Sequence, residues 1–175
     1  MKKYIALLRG INVGGHKKIL MADLKLLFES LGFSEVQTYI QSGNVVFTSK
    51  EENNLENKIT EAIDSKYGFF VPILVKKASE MAKILSKCPF SEEKREKSYF
   101  ILLKASPSKK DIELTTHFSH INEEFYILED CIYIYYREGA GKAKMGNNFF
   151  EKKLKVIGTA RNYRTMVKLL EMVSN

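Results

Sequence analysis

The sequence predicts an α+β fold of two ferredoxin-like halves, each a split βαβ with an antiparallel sheet, ending in a C-terminal helix. Three observations predict it. Short strand-like runs and segments of helical period follow one another as β-α-β-β-α-β over the first half. The same order begins again near residue 98. Between the two lies the charged run 91–97, Ser-Glu-Glu-Lys-Arg-Glu-Lys, a solvated joint. The chain divides accordingly into residues 1–77, a helix and charged joint at 78–97, and a second half at 98–175 that includes the terminal helix.

Each element has a local reason. Tyr4 to Arg9 is apolar on both alternating faces, as a central strand covered on both sides should be. Leu20, Leu24, Leu27, Phe28 and Leu31 share one helical face, and Gly32 ends that helix. Val36 to Gln41 and Asn44 to Thr48 are β-rich runs joined around Ser42-Gly43, a tight hairpin in which Gly43 takes a positive φ. Leu55, Ile59, Ala62 and Ile63 mark a second helix closed by Gly68. Phe70 to Val75 contains Pro72, which cannot donate to a ladder, so this strand belongs at a sheet edge. Ser79 to Lys87 is a short helix stopped by Pro89. In the second half, Tyr99 to Lys104 is a strand, Ser106-Pro107 starts a helix, and Phe125–Leu128 and Cys131–Tyr136 form a hairpin around Glu129-Asp130. Residues 147–155 are helical. No final strand is evident, and residues 162–173 form the terminal helix.

Composition sets the sign of charge. Lys and Arg outnumber Asp and Glu, 28 to 21, for a formal +7, which attracts anions. Residues 137–168 hold nine basic side chains against two acidic ones, so this stretch carries the whole surplus. Cys88 and Cys131 sit in apolar settings with no ligand-spaced partner, so no metal site is expected. The apolar run at the start is too short for a signal peptide, and nothing approaches membrane-span length. A cytoplasmic protein without a membrane partner is expected.

The candidate site follows from topology. In a split βαβ the first and second strands run parallel and end at one rim of the sheet. The loop Arg9-Gly10-Ile11-Asn12-Val13-Gly14-Gly15-His16-Lys17-Lys18 must therefore lie near the hairpin tip Gln41-Ser42-Gly43-Asn44. Arg9 brings charge, Asn12, Gln41, Ser42 and Asn44 bring donors and acceptors, and Gly14 and Gly15 admit close backbone approach. Each glycine pair taken alone is a turn; together they suggest a cleft for an anion. Gly10 to Lys17 falls short of the nucleotide phosphate loop, because His16 and Lys17 stand where Lys and Ser/Thr belong. A second strand, glycine loop and helix start recur through Lys144 and the Arg161, Asn162 and Arg164 segment. No nucleophile–histidine pairing and no cofactor motif can be read.

Leu7 to Gly15 (LLRGINVGG), Thr38 to Phe47 (TYIQSGNVVF) and Arg161-Asn162-Tyr163-Arg164-Thr165 resemble an uncharacterised, mostly bacterial family, the domain of unknown function sixteen ninety-seven. The resemblance spans nearly the whole chain and implies two ferredoxin-like halves. It brings no activity, ligand or catalytic residue. Ala143 stands where the family usually has Ser, and Tyr163 where it has Trp, which keeps a ring.

Three functions are therefore in view. The first is a binding protein for a phosphorylated or carboxylated small molecule at the basic glycine-loop cleft. The second is nucleic-acid binding, invited by the basic surplus and by Tyr133, Tyr135 and Tyr136 on one strand. The third is a structural or self-associating domain whose glycines only make turns.

Overall fold

The computed structural model of the protein describes residues 1–174. The first sheet is built from β1 (Lys2–Leu8), β2 (Ser34–Tyr39), β3 (Asn44–Ser49) and β4 (Ile73–Lys77), in the order β2-β3-β1-β4. Helices α1 (Met21–Ser30) and α2 (Leu55–Tyr67) supply its crossovers. After α3 (Ala78–Ser86) and the single turn α4 (Glu92–Arg95), a second sheet forms from β5 (Ser98–Leu103), β6 (Glu123–Leu128), β7 (Cys131–Tyr136) and β8 (Gly158–Asn162). Its order is β6-β7-β5-β8, with α5 (Lys109–Thr116) and α6 (Asn147–Leu154) as crossovers and α7 (Tyr163–Ser174) closing the chain. All pairings in both sheets are antiparallel. The two split βαβ halves with antiparallel sheets and a C-terminal helix are those the sequence predicts.

Contacts gather the chain into two compact units. One is Met1–Lys83 together with residues 168–174; the other is Ile84–Val167. This grouping differs from the division at 1–77, 78–97 and 98–175. Part of α3 and the end of α7 group with the first unit, where Lys3 Nζ donates to the Val173 carbonyl at 2.8 Å. Within the charged joint 91–97 one turn of helix, α4, forms.

Alternation makes each core. In the first unit Tyr4, Ala6 and Leu8 of β1 face the same way as Val45 and Phe47 of β3, and Leu24, Phe28, Ile59 and Ile63 of α1 and α2 cover them. Phe47 packs edge-on to Phe28 with centroids 5.4 Å apart. Ile101, Leu103, Ile132, Ile134, Phe150 and Leu154 do the same work in the second unit. Each buried side chain of this size contributes about 1.5–3 kcal/mol of transfer free energy.

Three local expectations are corrected. The second half does have its last strand: β8 pairs with β5 from Tyr99↔Asn162 to Leu103↔Gly158. Its sequence, Gly-Thr-Ala-Arg-Asn, lacks the bulky alternation that marks strands, because it packs where a Cβ on Gly158 would come within 2.9 Å of Ile101. Helix α5 starts at Lys109 rather than at Ser106-Pro107, because Ser108 is the residue whose side chain accepts the Asp111 N–H. Pro72 precedes β4 instead of lying within it. The strand still sits at the sheet edge, and the Pro72 carbonyl accepts the Arg9 N–H at 3.0 Å.

Candidate functional site

β1 and β2 both run antiparallel to β3, so they are parallel and end on the same side of the first sheet. Leu7 stands opposite Asn44 and Leu8 opposite Ile73, which brings loop 9–20, the turn 40–43 and the lead-in to β4 to one end. The juxtaposition expected from topology is present. The gap between the two glycine segments is not open, however. Gly43 lies against the loop so closely that a Cβ there would stand 2.7 Å from Leu8 Cβ and 2.9 Å from Ile11 Cδ1. Its φ of +81° is left-handed as well. Ile11 is buried in the resulting seam.

The polar motif residues mostly hold this seam together. Asn12 Nδ2 donates to the carbonyls of Ile19 (3.0 Å) and Gln41 (2.9 Å), while its Oδ1 accepts the Ile19 N–H at 2.9 Å. That one amide pins both ends of the loop and ties it to the hairpin. Asn44 is fully buried, donating to the Tyr39 carbonyl and to Ser42 Oγ, each at 3.0 Å. Gly14 and Gly15, with φ of +56° and +79°, are the centre of a type I′ turn closed by His16 N donating to the Val13 carbonyl at 3.0 Å. Lys17 Nζ donates to the Phe70 carbonyl at 2.7 Å and braces the far side of the loop. Asn12, Ser42, Gly43 and Asn44, expected as ligand-binding residues, thus make internal hydrogen bonds or close packing contacts. Arg9 stands part-buried at the same end of the sheet.

The loop held this way walls a cavity of about 340 Å³ that reaches the start of α1. Gly15, Lys18 and Gln41 line it, with Asp23 of α1 and Tyr67 from the end of α2. Leu20 occupies the cap position of α1 with extended backbone (φ −68°, ψ 134°), and no side chain caps the helix. Its first N–H groups therefore lack the partner that a cap supplies, at the positive end of the helix dipole. Lys18 is exposed beside them. The Tyr67 phenol oxygen is out of contact with solvent and has no hydrogen-bond partner among the described residues. Burial raises its pKa, and the Asp23 carboxylate raises it further, so it stays a neutral donor. Lys18 closes the loop that the sequence marks, whereas Asp23 and Tyr67 lie outside its motifs. A signal existed: Leu20-Met-Ala-Asp23 occupies the place that Ser108-Lys-Lys-Asp111 holds in the second half, with serine replaced by leucine.

In the second unit, Lys144 is exposed on the connection 137–146, and its N–H donates to Glu123. Arg161 of β8 is buried, with Nη1 donating to the Ala160 carbonyl at 2.8 Å. Burial lowers its pKa to about 10, which leaves it cationic at neutral pH. Asn162 Oδ1 accepts the Thr165 N–H at 2.9 Å and so caps α7. Arg164 is exposed in the first turn. Tyr163 keeps an internal stacking role, on Phe100 with centroids 6.4 Å apart. Tyr133 and Tyr136 are buried, their hydroxyls donating to the carbonyls of Ile84 and Met145. They offer no face on which a base could stack. No helix among the described residues is long and apolar enough to cross a membrane.

The family described as "Protein of unknown function (DUF1697)" matches residues 1–133. No curated protein matches the chain. Among solved structures, a conserved bacterial protein, SP0830 from Streptococcus pneumoniae, is similar to it with a TM-score of 0.76 at 24% identity. That alignment covers 100% of this chain and 99% of the other, and it shows a shared fold.

Proposed function

The chain belongs to the family of proteins of unknown function DUF1697, and on that footing we propose that it binds a small carboxylated or phosphorylated molecule in the cavity between loop 9–20 and the start of α1. One observation carries the reading: α1 opens uncapped onto a cavity, whereas α5, the helix in the same place in the second unit, is capped by Ser108. Free backbone N–H groups beside Lys18 suit an oxyanion. Asp23 accepts hydrogen bonds only, so the ligand also carries an N–H or O–H donor for it. Gln41 gives both a donor and an acceptor across the cavity. The glycine motifs enter indirectly, by fixing the wall against which such a ligand would rest. No nucleophile, metal cluster or proton-transfer pair lines this cavity among the described residues, and the proposal is binding rather than catalysis.

A thermal-shift screen of carboxylated and phosphorylated metabolites tests it. Compounds that raise the melting temperature should lose the effect with Lys18→Met and with Gln41→Ala, both exposed positions whose replacement leaves the fold intact. A screen without hits, or hits indifferent to both substitutions, would refute the assignment.

A further inference from the structure

The second unit has a cleft of its own, about 270 Å³, between the end of β7 and the connection 137–146. It owes its shape to Glu123, whose carboxylate is almost wholly buried, its side chain 3% exposed. The backbone N–H groups of Lys144 and Met145 donate to its two oxygens, the latter at 2.8 Å. Tyr136 Oη donates to the Met145 carbonyl at 3.1 Å and fixes the same segment from the other side. The connection is thereby a wall with defined side-chain positions.

The acceptors and donors of this wall are unequally matched. Glu138 accepts from Asn122 Nδ2 at 2.9 Å and pairs with Lys142 Nζ at 3.4 Å. Both carboxylates of the cleft thus have partners. His120 presents Nδ1 to the Asn122 N–H, 3.4 Å away, and to Glu123 Oε1, 3.7 Å away. Its Nε2 is therefore on the side of the ring turned from Glu123. With Nδ1 accepting, the proton of the neutral ring resides on Nε2, and in the imidazolium Nε2 carries one too, so Nε2 donates in either state. Lys144 Nζ has no hydrogen bond or ion pair among the described residues. What the cleft leaves over is two donors, one of them a full positive charge, and no unmatched carboxylate.

We infer that this cleft binds an oxyanion group, with Lys144 supplying the charge and His120 Nε2 a directed hydrogen bond. Such a group accepts from both donors at once. Glu123 is a positioning residue: it holds Lys144 and Met145 by their backbone and faces the inner side of the imidazole. This site is separate in its residues from the cavity at α1, and its assignment stands without that one.

Titration of the full chain with inorganic phosphate and, separately, with acetate, followed by the His120 side-chain and Lys144 amide NMR signals, tests the inference. Saturable movement with phosphate alone assigns a phosphate group, with acetate alone a carboxylate, and with both an unselective oxyanion site. Lys144→Met and His120→Ala should each weaken that binding by about tenfold, as loss of a charge-assisted hydrogen bond does. Lys110→Met, an exposed lysine on α5, should leave it unchanged. Movement that never saturates, or that all three variants reduce alike, would overturn the inference in favour of diffuse attraction to a basic protein.

Discussion

The corner between the first two helices is built differently in the two units. Each sheet end begins alike: Leu8 N donates to the Gly43 carbonyl and Leu103 N to that of Asp130, both at 2.8 Å. Arg9 N then donates to Pro72 and Lys104 N to Ile157, at 3.0 and 2.9 Å. After this shared start the paths part. In the second unit the chain crosses residues 104–108 to a helix capped by Ser108, and Lys155 Nζ reaches Asp111 at 2.9 Å, closing the corner between α5 and α6. In the first, the longer loop 9–20 leads to an uncapped helix, and the corner between α1 and α2 holds a cavity with Asp23 and Tyr67 on its walls. The same topology is thus sealed in one copy and left open in the other. A shorter connection, one serine and one lysine close the second corner, so the open corner is a local choice of sequence and not a demand of the fold.

The largest effect should come from the seam that supports the open corner. Gly43→Ala meets both a left-handed φ and a Cβ position inside contact distance of Leu8 and Ile11, and should destabilise the protein by about 2–4 kcal/mol in urea unfolding. Asp130, which offers the equivalent carbonyl in the second unit, already bears a side chain, so Asp130→Ala should cost clearly less. Equal losses would show that the hairpin bond, and not Ile11, demands glycine.

Next is Asn12→Ala, which removes three hydrogen bonds and leaves two carbonyls and one N–H to find other partners. A loss of about 2–3 kcal/mol is expected, along with weaker ligand binding as the cavity wall loosens. Retained stability with retained binding would contradict the role of Asn12 as the staple of the loop.

A reciprocal exchange of caps sharpens the comparison further. Leu20→Ser recreates in α1 the Ser-x-x-Asp arrangement of α5, and should stabilise the protein by about 1 kcal/mol while competing with ligand for the same N–H groups. Ser108→Ala should cost about 1 kcal/mol and leave ligand binding alone. Stabilisation by Leu20→Ser without any loss of affinity would separate the helix end from the site.

The smallest effect concerns acid. The Lys155 hydrogen bond, helped by Ser108, holds the Asp111 carboxyl below its ordinary pKa. A folded-state value below the unfolded one adds stability above the ordinary carboxylate range, which disappears as the pH falls through the lowered value. Asp111→Asn should therefore flatten the acid limb of the stability profile slightly.

Much of this architecture was legible in the sequence, and the losses have physical causes. Tyr4 to Leu8 announced a strand buried on both faces, and the parallel ends of β1 and β2 brought Asn12 and Gln41 together as expected. Patterning failed at β8, where small residues replace the alternation used to recognise strands. It also misjudged how the polar motif residues are used. Asn12, Ser42 and Asn44 are types that bind ligands and types that fasten loops, and a one-dimensional pattern does not separate the two uses. Tyr67 and Asp23 meet only through the packing of α2 beside α1, forty-four positions apart in the chain. The missing cap of α1 was visible as Leu20, yet it gained meaning only beside the capped helix α5.

Backbone amide shifts during titration with inorganic phosphate and with acetate test the open corner most directly. Met21, Ala22 and Asp23 at the start of α1 should move saturably with at least one of the two anions, while Lys109, Lys110 and Asp111 at the start of α5 stay still. Still amides at α1, or equal movement at both helix starts, would contradict the account.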